Sequence, residues 1–268
     1  MGTSYSLNLR AETLPGIYAR YIVDAPFIAN ANKGTAKAQS DLCKMLKGRP
    51  LSVTGATTDE GKMTVENYYS RDYQAEYSKG VIRKQLGVCE HSIVPYTRIV
   101  LRHARPGGFG NGFTLYEYND SGKPPYQWHR RVVSLKGSDV NALVAIGALG
   151  PGLVKRKPIE KRRYASEECQ MYAISPIEMC ITELDPQKYP ITHLMLYRKV
   201  DHGGETTAVA VDLKSTIKSS LFFPPKGAPI IDADSKKKNS RNSTNATEKW
   251  CERQLKETGI NPCKSDDD

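Results

Sequence analysis

The sequence predicts a mainly β chain of the α+β kind: an antiparallel β-sandwich or twisted sheet, several short helices and a C-terminal helical appendage. Three observations carry this expectation. Short segments rich in Val, Ile, Thr and Tyr recur between Gly-, Pro-, Asn- and Asp-rich turns through the middle of the chain. Stretches with helical spacing are few. The 268 residues, 39% hydrophobic and 25% charged, suffice to bury a core without help from disulfides. No apolar run reaches the roughly 18–20 residues of a spanning helix.

Tyr5–Leu9 and Gly16–Val23 read as an opening strand pair. Lys33–Lys47 reads as a helix carrying Ala36, Leu42 and Leu46 and ending at Gly48. Asp72–Leu86 reads as a helix weakened by Gly80, on which Tyr73 and Tyr77 would share one face. An antiparallel meander follows: Ile93–Ala104, the loop Arg105–Gly112, Phe113–Tyr118, the turn Asn119–Pro125, and Tyr126–Leu135. Ser138 and Asp139 cap a short apolar helix to Leu149. Ser175-Pro176-Ile177-Glu178 has the form of a capping box with Pro at the first helical position, and predicts a helix carrying Cys180. His193–Val200 and Thr206–Leu213 form a hairpin around Asp201–Gly204. Thr247 caps a last helix to Thr258. The chain thus divides into a β-rich domain (1–231), a polar linker (232–246) and a C-terminal helix with a disulfide loop (247–268).

Six cysteines, Cys43, Cys89, Cys169, Cys180, Cys251 and Cys263, show no C-x-x-C pair and no zinc-finger spacing, so no metal and no cofactor is expected. Short loops favour Cys169 with Cys180 and Cys251 with Cys263, which leaves Cys43 with Cys89. Bridges place the protein in the periplasm or outside the cell. Export would require a leader, removed before Met1, on which a lipid anchor is possible.

The formal charge of +10 is local. Residues 155–163 contribute +5 and residues 236–241 contribute +4, so the rest of the chain is nearly balanced. No helix-turn-helix or RNA-recognition motif accompanies the cations, and aromatics do not interleave with them, which argues against a nucleic-acid fold. Serine-hydrolase elbow, zincin and P-loop signatures are absent from the sequence. Carboxylate pairs such as Asp59-Glu60 and Glu167-Glu168 fall in polar turns, where solvation is expected.

Two surfaces remain as candidates for binding. One is the basic run of Lys155, Arg156, Lys157, Lys161, Arg162 and Arg163, read as a surface loop for an acidic partner. The other is the dense group Tyr68, Tyr69, Tyr73 and Tyr77, since Tyr is favoured at interfaces. The expectation is a non-catalytic protein that binds another protein, of inhibitor or toxin-immunity type. A secreted basic nuclease or nucleic-acid-binding protein, using His91, His103 or His129 for acid–base work, is the alternative. A structural or envelope-associated component is the second alternative.

Overall fold

A computed structural model describes residues 12–106, 108–120, 126–134, 157–174, 176–201 and 203–232. Within them lie thirteen strands: β1 (Thr13–Asp24), β2 (Ser52–Thr54), β3 (Lys62–Tyr69), β4 (Tyr73–Gly87), β5 (Glu90–Arg105), β6 (Gly108–Asn119), β7 (Trp128–Val133), β8 (Glu160–Tyr164), β9 (Glu167–Ile174), β10 (Ile177–Glu183), β11 (His193–Val200), β12 (Gly204–Lys218) and β13 (Ile230–Asp232). One helix, α1 (Pro26–Lys47), and two 3-10 turns, Thr57–Asp59 and Ser219–Phe222, complete the described elements.

All the strands belong to one sheet in the order β13-β7-β6-β5-β4-β3-β1-β12-β11-β10-β9-β8, with β2 beside β5. The β13–β7 and β2–β5 pairs are parallel. The other pairings are antiparallel, as the meander and the late hairpin predict. Of the expected opening pair, Gly16–Val23 lies within β1, which is hydrogen-bonded to β12 on one edge and β3 on the other. Its other proposed member, Tyr5–Leu9, lies outside the described residues.

The two largest core clusters lie on opposite faces, toward the two ends of the sheet. Strands related directly across the sheet share a face, so the register places Tyr18, Tyr68, Ala75, Leu101 and Tyr116 in one row. That face is covered by the 219–223 turn, with Phe222 fully buried against Ala75, Leu101, Trp128 and Ile217. On the other face, Ile17, Ala19 and Tyr21 pack with Cys180, Leu194, Leu196 and Ala208. Here the sheet curls: Tyr164 of β8 stacks on Tyr197 of β11 with ring centres 5.0 Å apart. Three strand spacings would hold these rings about 14 Å apart in a flat sheet. Gly16 makes the bend next to β3 possible, because a Cβ there would collide with the Tyr69 carbonyl.

Two expected helices are strands. The segment expected as a helix over 72–86 is β4 (Tyr73–Gly87), where Tyr73, Ala75 and Tyr77 alternate with Gln74, Glu76 and Ser78. A four-residue spacing puts Tyr73 and Tyr77 on one face in either conformation, so that pair could not discriminate. Around Cys180 the chain is β10, paired with β9 and β11 on its two edges. Ile177, Ile181 and Thr182 suit a strand better than a helix. The Cys169–Cys180 bridge therefore joins adjacent strands, not a strand and a helix. The Cys43–Cys89 bridge is present as expected. Helix α1 begins earlier than its predicted start, at Pro26, a good first helical residue. It ends as predicted at Gly48, whose left-handed conformation (φ 65°) lets its N–H reach the Lys44 carbonyl. The predicted helices 138–149 and 247–258, the linker and the Cys251–Cys263 pair lie outside the described residues. Among the described residues, no helix is long and apolar enough to cross a membrane.

Candidate functional site

The predicted tyrosine surface divides between the two faces of the sheet. Tyr68, Tyr73 and Tyr77 face the 219–223 turn, as part of the core there. The Tyr77 hydroxyl donates to the Leu221 carbonyl at 2.6 Å. Tyr68 lies between Tyr18, at 5.2 Å, and Tyr77, at 5.8 Å. Burial pushes the Tyr68 and Tyr77 hydroxyls up to about 12, so both are neutral donors at any physiological pH. These three side chains already have an intramolecular partner, and packing accounts for them. Tyr69 points to the opposite face.

The basic run also differs from the loop expected of it. Lys155 and Arg156 lie outside the described residues, and Lys157 is an exposed residue just before β8. Lys161, Arg162 and Arg163 belong to β8, a short strand at the end of the sheet. Lys161 pairs with Glu168 at 2.7 Å, Arg162 with Glu160, and Arg163 sits opposite Glu168 in register. Charge on a short edge strand discourages pairing with another sheet. That structural role accounts for these cations without a partner.

The histidines of the nuclease alternative are not brought together. His91 and His103 are twelve residues apart on β5, which is about 40 Å of extended strand. His129 shares a face with Glu117 and Val100, opposite to that of His103. His103 is instead enclosed by Tyr73 (5.2 Å), Tyr116 (4.9 Å) and Phe223 (4.7 Å), and its Nε2 is 2.6 Å from the Phe222 carbonyl. Burial lowers its pKa from the ordinary 6.5, the carbonyl contact opposing that shift. A depressed histidine contributes stability above its unfolded pKa and loses it as the pH falls. The urea midpoint of the protein should therefore drop between pH 7.5 and pH 5, and His103→Gln should flatten that part of the profile. An equal pH dependence in wild type and variant would exclude His103 as its source.

Sequence reasoning missed the surface at the free end of α1. Among the described side chains of α1, those turned inward are small or polar: Ala29, Asn32, Ala36, Gln39 and Ser40 are half-buried, and Cys43 is buried. Leu42, Met45 and Leu46 point outward, with 45%, 77% and 60% exposure. The Cys43–Cys89 bridge ties this end of α1 to the tip of the β4–β5 hairpin, where Leu86 and Val88 are 68% and 61% exposed. Five large apolar side chains are thus exposed on the two elements that this bridge joins. Four of the five charged residues of α1 are lysines, Lys33, Lys37, Lys44 and Lys47, and Arg49 follows, paired with Glu90 at 3.4 Å. An exposed apolar cluster rimmed by charge is characteristic of a docking surface.

The opposite face of β3–β6 carries a second polar group. Register aligns Tyr69, Gln74, Arg102 and Leu115 in one row, and Asn67, Glu76, Val100 and Glu117 in the next. Arg98 binds Glu117 at 2.9 Å and reaches Glu76 at 3.5 Å. Arg102 is deeper, its side chain 13% exposed, and its distance to Glu76 is 3.8 Å. Among the described residues, no cluster of His, Cys, Asp and Glu is arranged to hold a metal ion.

No family model matches the chain, and no curated protein matches it. The structure of PNGF-II is similar over 85% of this chain and 33% of that one, at 9% identity and a TM-score of 0.37. The chain spans about a third of that protein's length. Likeness at this level assigns neither fold family nor activity.

Proposed function

We propose that the protein is a non-catalytic binding protein of the periplasm or cell exterior, of inhibitor or toxin-immunity type. It docks an acidic partner protein on the surface around the Cys43–Cys89 bridge. The observation that carries this is the outward placement of Leu42, Met45, Leu46, Leu86 and Val88. An isolated exposed leucine is unremarkable, but five large exposed apolar side chains on two elements joined by a covalent bridge are not. The lysine excess on α1 selects a partner whose apolar patch is ringed by carboxylates. Two disulfides suit an oxidising compartment.

The test uses the full chain immobilised through its C-terminus, a periplasmic or culture-fluid extract, and purification of whatever protein is retained. Against that purified protein, the Lys44→Glu/Lys47→Glu variant should bind about tenfold more weakly and show a shallower salt dependence. Met45→Ser/Val88→Ser should lose at least as much. Unchanged affinity in both variants overturns the docking surface. Saturable binding to phosphatidylglycerol vesicles, with no protein retained, overturns the choice of a protein partner.

A further inference from the structure

An open groove of about 790 Å³ lies between the 186–190 segment and the β1–β12 pair, within the size range of small-ligand sites. None of its lining residues belongs to α1 or to the β4–β5 hairpin, so it is separate from the docking surface. Three cations line it, each from a different part of the chain: Arg71 from the β3–β4 connection, Lys188 from the 186–190 segment and Lys214 from β12. Among the described residues, no carboxylate lines it. Among them, too, Arg71 and Lys214 have no carboxylate partner, while Lys188 pairs with Asp185 at 3.3 Å. Cations gathered round one concavity focus a positive potential into it. Tyr189 and Leu213 also line the groove and pack against the core cluster of Ile17, Leu194 and Leu196, so its apolar part is fixed by the interior.

The backbone holds both walls. The Asp185 carbonyl accepts the N–H groups of Lys188 and Tyr189 at 3.0 and 2.9 Å, and its carboxylate accepts that of Gln187 at 2.9 Å. Pro186 and Pro190 stiffen the same segment. Across the groove, Gly16 pairs with Ser215 and Tyr18 with Asp212, so Leu213 and Lys214 both stand against Ile17. A bulge of this kind re-aims the side chains it carries. The Asp212 carboxylate accepts the Lys214 N–H at 2.9 Å and pins it.

From this groove we infer that the protein binds a small phosphate monoester with an apolar or aromatic body. The charge selects the phosphate. Arg71 and Lys214 supply two uncompensated positive charges, and a phosphate monoester carries about −1.5 to −2 at neutral pH, where a carboxylate or a sulfate ester carries one charge. The planar Arg71 fork and the Lys214 ammonium share the phosphate oxygens, and Lys188 adds a third cation from the opposite wall. The hydroxyls of Ser215 and Thr216, which line the groove as well, supply neutral donors. The carbon body of the ester lies against Tyr189 and Leu213, surface already ordered by the core. Convergence of cations from three elements on one concavity suits a compact anion, whereas a polyanionic chain calls for cations in a row.

Calorimetric titration of the full chain at pH 7.5 and low salt tests this, with phenyl phosphate, phenyl sulfate and inorganic phosphate as probes and each variant's folding checked by its unfolding midpoint. Phenyl phosphate should bind saturably, and phenyl sulfate, of the same shape but with one charge, about tenfold more weakly. Inorganic phosphate should also bind about tenfold more weakly, since it has no ring to bury. Arg71→Gln and Lys214→Gln should each weaken phenyl phosphate about fivefold or more. Lys226→Gln removes a cation that does not line the groove and should leave the affinity unchanged. Thr216→Lys adds a cation to the groove and should tighten phenyl phosphate, a gain that misfolding cannot produce. Absence of saturable phenyl phosphate binding to the folded wild type overturns the inference. So does phenyl sulfate binding as tightly as phenyl phosphate, or full affinity retained in both Arg71→Gln and Lys214→Gln. Binding to phosphatidate vesicles without binding of the free ester would assign the groove to a lipid surface and overturn it as well.

Discussion

Arg83→Met should cost about 3–5 kcal/mol of folding stability at neutral pH, the usual consequence of stranding a buried charge. Glu60 is the charge in question. Its side chain is 1% exposed and that of Arg83 is 12%. The pair is bidentate, with Arg83 Nε donating to Oε1 at 3.0 Å and Nη2 to Oε2 at 2.7 Å. Asn32 of α1 adds a third donor at 2.9 Å. The Arg83 hydrogen bonds hold the Glu60 carboxyl below its ordinary 4.5, with burial working against them. A depressed carboxylate contributes stability above its unfolded pKa and loses it as the pH falls below 4.5. In Arg83→Met the sign reverses, since an unpartnered buried carboxyl is raised and its penalty grows as the pH rises. The stability gap between wild type and variant should therefore be largest near pH 7 and narrow below pH 4.5. Urea titrations at pH 7 and pH 4 measure both. A double replacement, Glu60→Met with Arg83→Met, removes both charges and should recover most of the loss. If Arg83→Met alone costs under about 1 kcal/mol, the pair behaves as an exposed surface bridge.

That pair also shows where sequence reasoning reached its limit. Asp59-Glu60 was expected to be solvated because acidic pairs in polar turns usually are. What buries Glu60 is the approach of Arg83 from β4 and Asn32 from α1, at separations of 23 and 28 residues, and no local pattern encodes it. Strands bounded by Gly and Pro were legible, including β5, β6, β11 and β12, because their turn residues act locally. Segments 72–86 and 175–183 were not, since a capping-box pattern and a four-residue tyrosine spacing are compatible with strands too. Only pairing on both edges decides, and that is a tertiary fact. Arg102 gave no signal at all. Along β5 it is one Arg among several, and only the neighbouring strands make it the deep one. Helix α1 misled in another way: its apolar positions were legible, but which side faces the sheet was not. The small, polar stripe of Asn32, Ala36, Gln39 and Cys43 faces in, where the Cys43–Cys89 bridge and the Asn32–Glu60 hydrogen bond tie the helix down.

The covalent bridge is therefore the second position where a large effect is expected. Cys43→Ser/Cys89→Ser opens a loop with a sequence separation of 46, for which loop entropy gives a loss of about 4 kcal/mol. Cys169→Ser/Cys180→Ser opens a separation of 11, for which the same relation gives about 3 kcal/mol. The two losses should differ in kind more than in size. The strands that Cys169 and Cys180 join are also paired along their backbones and packed into the main core, so their separation should lower the unfolding midpoint of the whole domain. Cys43 is the buried side chain of the second half of α1, and without its bridge the last turns of the helix keep little that holds them. Amide hydrogen exchange over residues 36–47 should then accelerate well beyond the change in the sheet, since local opening no longer requires breaking a bond. The two variants should also separate in binding. Loss of the Cys43–Cys89 bridge disperses Leu42, Met45 and Leu46 from Leu86 and Val88 and should weaken partner affinity about tenfold or more, whereas loss of Cys169–Cys180 should leave the affinity of the folded fraction unchanged. Equal protection of α1 with and without its bridge would mean that the helix is held by packing, and that the apolar end does not depend on the bridge for its shape.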